Sequence, residues 1–455
     1  MKNDEAWSSD SGRAAAALPH PGRWRGVLAR LAFAGGAPRA PRITARRPAI
    51  MPIAPENVVV IVLIASQRVS ATVAALHPEH GDKVVAHKSI DCVWAELSDS
   101  GKREALADVV RLASDSAGVE AFSVYLSMSD PSITSRLAIG WADPGDEVVL
   151  TANEAAWALK RARDQATGAD HELVEAIPVQ WTVRDRSGER EVEDPVGQRG
   201  SRLTCQALLV TARRGYRDEL AALVKGLDLE LEGVIAQPVA LYRGMASNLP
   251  RKGTTYVIDC GARCTSILVR RRERLMHLEC HAFGGDDLTA ALVERLGITQ
   301  HQAEDLKRDL DIHAEAKQEN LLGGQQFIWS DVRERHRLVG PGAAICAEVI
   351  SDFFRARAGE LRDHGLLGQQ GQVHLLGRAS SLGGLAAHLK EIFDLPVVLG
   401  TGQKHRDPSA ELADILVSGL VCAAADYRRS HLSAQRSRLR TTASGVWTWL
   451  TKKIE

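Results

Sequence analysis

Three turns and one helical face hold the side chains best placed for chemistry. Asp259 ends the apolar run Thr254–Asp259, directly before the turn Cys260-Gly261-Ala262-Arg263. A carboxylate at the end of a buried strand needs a partner, and Arg263 is a candidate close in sequence. Gly377-Arg378-Ala379-Ser380-Ser381 follows the strand pattern Val373–Leu376 and precedes the helical pattern Leu382–Phe393. Backbone N–H groups at such a helix start can face a phosphate or a sugar. The third turn, Ala65-Ser66-Gln67-Arg68, joins the runs Val58–Ile64 and Val69–Leu76. Glu304 and Lys307 lie one helical turn apart and share a face. Left on a surface, that ion pair is worth about 0.3–0.5 kcal/mol.

The elements that must position these turns repeat. A strand, a turn and a strand over Val58–Leu76 return two hundred residues later as Thr254–Asp259, the turn at Gly261 and Thr265–Arg270. Two hairpins heading two halves predict a duplicated α/β architecture with a cleft between the halves. Between them, Phe122–Met128 reads as a strand and Thr151-Ala152-Asn153-Glu154 as a capping box opening a helix over Glu154–Gln165. Strand patterns follow at Glu175–Val183 and Leu203–Thr211, which together make a small α+β insert. The stretch Asp194–Gly200 is too rich in Gly and Pro for a core element.

The two ends differ from this body. Wound as a helix, the last eleven residues gather Val446, Trp447, Trp449, Leu450 and Ile454 on one face. Two tryptophans on so short a segment suit the membrane–water interface. The arginine-rich stretch before it, Asp426–Ser444, reads as a tether. The first fifty residues carry nine basic and three acidic residues and no apolar secretion core, and disorder is expected there. A basic arm of this kind could touch anionic lipid, and Met51 stands where a shorter chain would start.

Composition bounds the function. Lys and Arg together number 57, as do Asp and Glu, so bulk charge argues against nucleic-acid binding. No run of about 20 apolar residues exists to span a bilayer. Seven scattered cysteines, without a second pair at zinc spacing beside Cys260 and Cys264, read as reduced thiols in a cytosolic compartment.

From about Val58 onward the chain resembles FtsA, an actin-like family of bacterial cell-division proteins. Ser123–Ser127 (SVYLS) is similar to the strand that enters the family's inserted 1C subdomain. Ile177-Pro178, Asp194–Gly200 and Arg202-Leu203 follow that insert's pattern. Gly284-Gly285 with Thr289, and Ala303-Glu304 with Lys307, resemble the stretch after the second phosphate turn. The terminal tryptophan helix resembles the family's membrane-targeting sequence. The resemblance implies a disordered extension at 1–56, an actin-like first domain at 57–128, 212–248 and 408–426, and a 1C-type insert at 129–211. It further implies a second domain at 249–407, a flexible linker at 427–444 and a membrane helix at 445–455.

It also implies an ATP site built from Ser66, Asp259, Gly261, Arg263, Gly285, Glu304, Lys307, Gly377 and Arg378, with Glu304 and Lys307 on ribose and base. The sequence departs from the family at this site. Leu63, Ala65 and Ser66 stand where an acidic residue, a glycine and Ser/Thr are usual, and Ala262, Arg263, Cys264 and Ser266 alter the second turn. Arg378 replaces a glycine. Side chains where glycines cradle phosphate cost about 1 kcal/mol at positive φ, while two arginines can pair phosphates. Leu63 and Ser266 remove two oxygen ligands for magnesium, so the expectation is at most ATP binding, without turnover. No residue is assigned a catalytic or metal-ligating role. The implied function is an adaptor on the cytoplasmic face of the inner membrane, at the division site. Its implied partners are the FtsZ C-terminal tail, further copies of itself, an anionic membrane surface and, through the insert, later division proteins. Two other functions stay open: a slow ATPase of the same fold, and a diverged paralogue serving another envelope-assembly complex.

Overall fold

Val58–Ala65 (VVVIVLIA) is apolar along its whole length and buried throughout its centre, as befits a strand covered on both faces. It opens the ordered body of a computed structural model that describes residues 57–77, 81–166, 168–313, 332–402 and 411–429. The chain divides into two units, 1–52 and 53–455, and the first lies wholly outside the described residues.

In the second unit, β1 (Val58–Ala65), β2 (Arg68–Ala75) and β3 (Lys83–Asp91) form an antiparallel meander. Helix α1 (Asp99–Ala117) starts at Ser98, whose hydroxyl accepts the Gly101 N–H at 3.2 Å, and ends at Gly118 in the left-handed region. It delivers β4 (Ser123–Met128) parallel to β1. The insert follows: β5 (Thr134–Ala142), β6 (Val148–Val149), α2 (Ala152–Arg163), β7 (His171–Asp185), β8 (Gly188–Val192), β9 (Arg199–Gly200) and β10 (Arg202–Arg213). After α3 (Tyr216–Val224), β11 (Glu230–Ala236) completes a sheet ordered β11-β4-β1-β2-β3, and α4 (Gln237–Met245) leads away.

The second half repeats that plan. Its elements are β12 (Thr254–Cys260), β13 (Thr265–Arg271), β14 (Arg274–His281), α5 (Gly285–Leu296), α6 (Gln300–Asp309), α7 (Val332–Asp363), β15 (Gln372–Leu376), α8 (Leu385–Phe393), β16 (Val397–Leu399) and the helix α9 at 411–429. Strands β14, β13, β12, β15 and β16 take the places that β3, β2, β1, β4 and β11 hold in the first sheet. The pair Glu279–Thr134 carries the second sheet on into the insert's strands, in the order β5-β10-β7-β8. Each half and the insert has its own apolar cluster.

Close packing follows small residues. A Cβ on Gly244 would overlap the Ile415 carbonyl, and one on Gly419 would overlap Ala240, so α4 and α9 cross backbone to backbone. Beyond that crossing, Arg428 donates to the Val58 carbonyl and Tyr427 packs on the first core.

The capping box of α2 is present: Thr151 accepts from the Asn153 N–H at 3.1 Å, and Glu154 accepts from the Thr151 N–H at 2.7 Å. Three expectations need correction. The strand Phe122–Met128, grouped with the insert on pattern alone, belongs to the first sheet, between β1 and β11, in keeping with the bound at 128, and the insert's first strand is β5. In β5 the small residues Ala138 and Ala142 are buried while Leu137, Ile139 and Trp141 are exposed, an inverted alternation that conceals a strand. A Cβ on Gly140, between those alanines, would overlap Ala158 and Ala162 of α2, so small residues are what this face requires. Tyr427 to Arg429, expected in the linker, form the last turn of α9 because Tyr427 and Arg428 dock on the core. Helix α8 begins at Leu385, after a 3-10 turn over Arg378–Ser381. The expected extension 1–56, the linker from 430 to 444 and the membrane helix 445–455 lie outside the described residues. No helix among the described residues is long and apolar enough to cross a membrane.

Candidate functional site

The two hairpin turns and the segment after β15 meet at a cavity of about 470 Å³ between the duplicated halves. The β1–β2 turn contributes Ser66 and Gln67, the β12–β13 turn Gly261 to Cys264, and the end of β15 Gly377 and Arg378. Trp94 and Leu412 and Leu416 of α9 line it too. Segment 92–94 is tied to the first turn, since the Ser66 carbonyl accepts from the Trp94 N–H at 2.9 Å and the Gln67 carbonyl from Cys92 at 3.2 Å.

Asp259 is the one carboxylate among the described residues lining the cavity. Burial pushes its carboxyl up to about 6, and a hydrogen bond from Gln237 only partly offsets this. Arg263 is not its partner, contrary to the sequence reading. The guanidinium lies at the outer end of the turn and its Nε meets Asp286 at 3.0 Å, on the first turn of α5. The partner of Asp259 is Gln237, the first residue of α4, whose remaining amide oxygen Oε1 accepts no hydrogen bond from the described residues. No local pattern marks Gln237, because it reaches Asp259 only through the docking of α4.

Gly377 needs to be glycine twice over. Its φ is +88°, and an added Cβ would overlap the Cys260 carbonyl and come within 2.7 Å of Asp259 Oδ1. Its carbonyl accepts from the Ser380 N–H at 3.1 Å and from the Ser380 hydroxyl at 2.6 Å, which shapes the 3-10 turn. The Arg378 side chain leaves this turn across the cavity mouth and donates to Gln67, joining the two halves.

The second turn is engaged from outside. Gly285 N–H donates to the Gly261 carbonyl at 3.0 Å and Asp286 N–H to Ala262 at 2.8 Å, so two N–H groups at the start of α5 are spent on the turn itself. Gly285, Glu304 and Lys307 come together beside the cavity rather than along its described wall. The Lys307 ammonium donates to the Gly285 carbonyl at 2.8 Å, the Thr289 hydroxyl at 2.6 Å and Glu304 Oε1 at 2.8 Å. These use all three donors of the ammonium. Burial raises the Glu304 carboxyl, but the bonds from Lys307 and Thr289 outweigh it and hold the group below the usual range. The pair is thus part of a half-buried network rather than an isolated surface contact.

Charge defines what the cavity suits. Arg68, Arg263 and Arg378 line it against the single carboxylate of Asp259, with Arg68 paired to Asp91 at 2.7 Å and Arg263 to Asp286 at 3.0 Å outside the wall. A hard divalent cation wants several oxygen ligands, and Leu63 and Ala65 supply no side-chain oxygen on the first turn. Ser266 is buried and hydrogen-bonds to Cys280 at 3.3 Å. The described residues do not fit magnesium. They fit an anion or a polar group held by guanidinium and backbone donors.

Two duplicated α/β halves around such a cleft, with an inserted subdomain in the first half, define an actin-like protein. The chain of a PilM–PilN type IV pilus biogenesis complex has the same fold, with a TM-score of 0.52 and 16% identity over 81% of this chain and 98% of that one. The family model for cell division protein FtsA matches residues 256–416, and that for the SHS2 domain inserted in FtsA matches 133–211, together more than half of the chain. Among relatives, FtsA of Streptococcus pneumoniae is 25% identical over 300 residues, 65% of this chain and 64% of its own length. FtsA of Rhizobium meliloti is 28% identical over 210 residues, 45% and 46% of the two chains. The matches therefore span less than two thirds of these relatives. This chain belongs to the FtsA family of actin-like cell-division proteins.

Proposed function

We propose that this protein is a membrane adaptor of cell division which holds nucleotide, where it holds any, without metal and without turnover. It would tie the C-terminal tail of FtsZ to the cytoplasmic face of the inner membrane and assemble with further copies of itself. The observation that carries this reading is the cleft of an FtsA-family chain lined by three arginines and one carboxylate. Phosphoryl transfer needs a positioned metal and water besides a bound phosphate, and the described wall offers few ligands for the former. In this reading Ser66 and Gly377 offer backbone donors, Arg263 and Arg378 supply charge, and Asp259 with Gln237 receives a polar donor. Gly261, whose own N–H is held by the Cys264 carbonyl at 3.0 Å, lets the ligand approach the turn closely. Gly285, Glu304 and Lys307 would serve the nucleoside end once Lys307 gives up one of its three contacts. The insert would meet the next subunit or later division proteins, and Val446, Trp447, Trp449, Leu450 and Ile454 would enter the membrane interface.

Calorimetry with ATP, with and without magnesium, and phosphate release test the cleft. The expected result is binding that barely depends on magnesium and no turnover above background. Robust magnesium-dependent hydrolysis, lost in Asp259→Ala, would instead make the chain an ordinary ATPase. Co-sedimentation with anionic liposomes, with and without FtsZ, tests the adaptor. Trp447→Glu combined with Trp449→Glu should leave the protein in the supernatant, and unchanged sedimentation would sink the anchor.

A further inference from the structure

Away from the cleft, the chain after α6 is pressed against the start of α8. Asp311 forms a parallel bridge with Gly383, and the Ile312 N–H donates to the Gly383 carbonyl at 2.9 Å. A Cβ on Gly384 would lie 2.5 Å from the His313 nitrogen and 2.7 Å from its Cβ, at a φ of +78°, so only glycine permits this approach. The apposition sets His313 beside His388 and Glu391, which share a face one turn apart on α8.

We infer that His313, His388 and Glu391 form a binding site for a divalent transition-metal ion of the Zn2+ class. One donor atom from each lies within 4.8 Å of the other two, and His313 Nε2 stands 3.8 Å from Glu391 Oε1. Donors around tetrahedral zinc are about 3.4 Å apart at bond lengths near 2.1 Å. Closing the remaining gap takes about 1.4 Å at most, which the exposed side chains of His313 and Glu391 can supply by rotamer adjustment. The less exposed His388 is oriented from α7, with Nε2 2.7 Å from the Ser351 hydroxyl, the kind of outer partner that fixes a ligating imidazole. Two imidazoles and a carboxylate suit Zn2+, Co2+ or Ni2+, and disfavour Mg2+ and Ca2+, which want oxygen alone. Arg355, whose charge reaches His388, opposes a cation and weakens the site. A bound ion would staple α8 to the segment that follows α6, and would raise thermal stability by mass action.

The probe is Co2+ titrated into the full-length chain with a phosphine reductant, followed by absorption spectroscopy, because seven free cysteines are present and Cys422 is exposed. One equivalent should bind with d–d bands and without thiolate-to-cobalt charge transfer, and Mg2+ should not compete. His313→Ala, at an exposed position, and Glu391→Gln should each weaken binding at least roughly tenfold, and Ser351→Ala by roughly tenfold. Zn2+ should raise the melting temperature of the wild type and not of His313→Ala. Absence of binding, a thiolate charge-transfer band, or affinity unchanged in both His313→Ala and Glu391→Gln would overturn the assignment.

Discussion

The two hairpins that head the halves of this molecule are copies in topology and unlike in their turns. In the first, Ala65 pairs with Arg68 across the two-residue turn Ser66-Gln67, and no carboxylate stands in it. In the second, Cys260 pairs with Thr265 across four residues, Gly261 to Cys264, and Asp259 lies beneath. The wider second turn has carbonyls to spare, and α5 donates to two of them. It also has Gly377 laid against its base, where no side chain fits. Strand pairing rests on the backbone ladder and on apolar burial, neither of which depends on the turn residues, so both hairpins keep their frame. The turns are free to diverge, and the weight of the site has moved to the second half.

That asymmetry can be broken most strongly at Gly377. Gly377→Ala places a Cβ at positive φ against Cys260 and Asp259, and should cost about 2–4 kcal/mol in denaturant unfolding. If instead it costs no more than a surface change, the second turn is not the rigid half. Asp259 gives the next effect. Burial pushes its carboxyl up to about 6 in the folded chain, above the ordinary 3.8. The folded state therefore favours the protonated form: this contribution is complete below about pH 3.8 and is lost as pH rises through about 6. Asp259→Asn should flatten that part of the stability profile and gain up to about 3 kcal/mol above pH 7. A profile unchanged between pH 4 and 7 would show that Asp259 ionises freely. The smallest effect belongs to the first turn. Gln67→Ala removes the exposed bond to Arg378, and should shift stability by less than about 0.5 kcal/mol. Any larger loss would make this contact a genuine tie between the halves.

How much of this was legible depends on how far apart the partners lie in the chain. The strands β1, β2, β12 and β13 were readable as apolar runs broken by turns, and the Thr151–Glu154 box as a four-residue pattern. Strand β5 was not, since its buried face holds alanines and Gly140 to admit α2, leaving larger residues outside. The sites divide the same way. Ser66, Asp259, Gly261, Arg263, Gly377 and Arg378 were each marked by a turn, and all line one cavity.

Sequence by itself determined the hairpin strands β1, β2, β12 and β13, the Thr151 cap, the duplication and the loss of acidic and glycine positions in the turns. Each of these rests on composition or on spacings of two to four residues, which backbone geometry converts directly into a face or a turn. Tertiary structure alone decided that Asp259 answers to Gln237, that Lys307 spends its donors on Gly285, Thr289 and Glu304, and that Arg378 reaches Gln67. It alone decided that His313 lies beside His388 and Glu391. Those pairings depend on which helix docks where, and docking is fixed by the fit of whole faces, down to the missing Cβ atoms of Gly377 and Gly384.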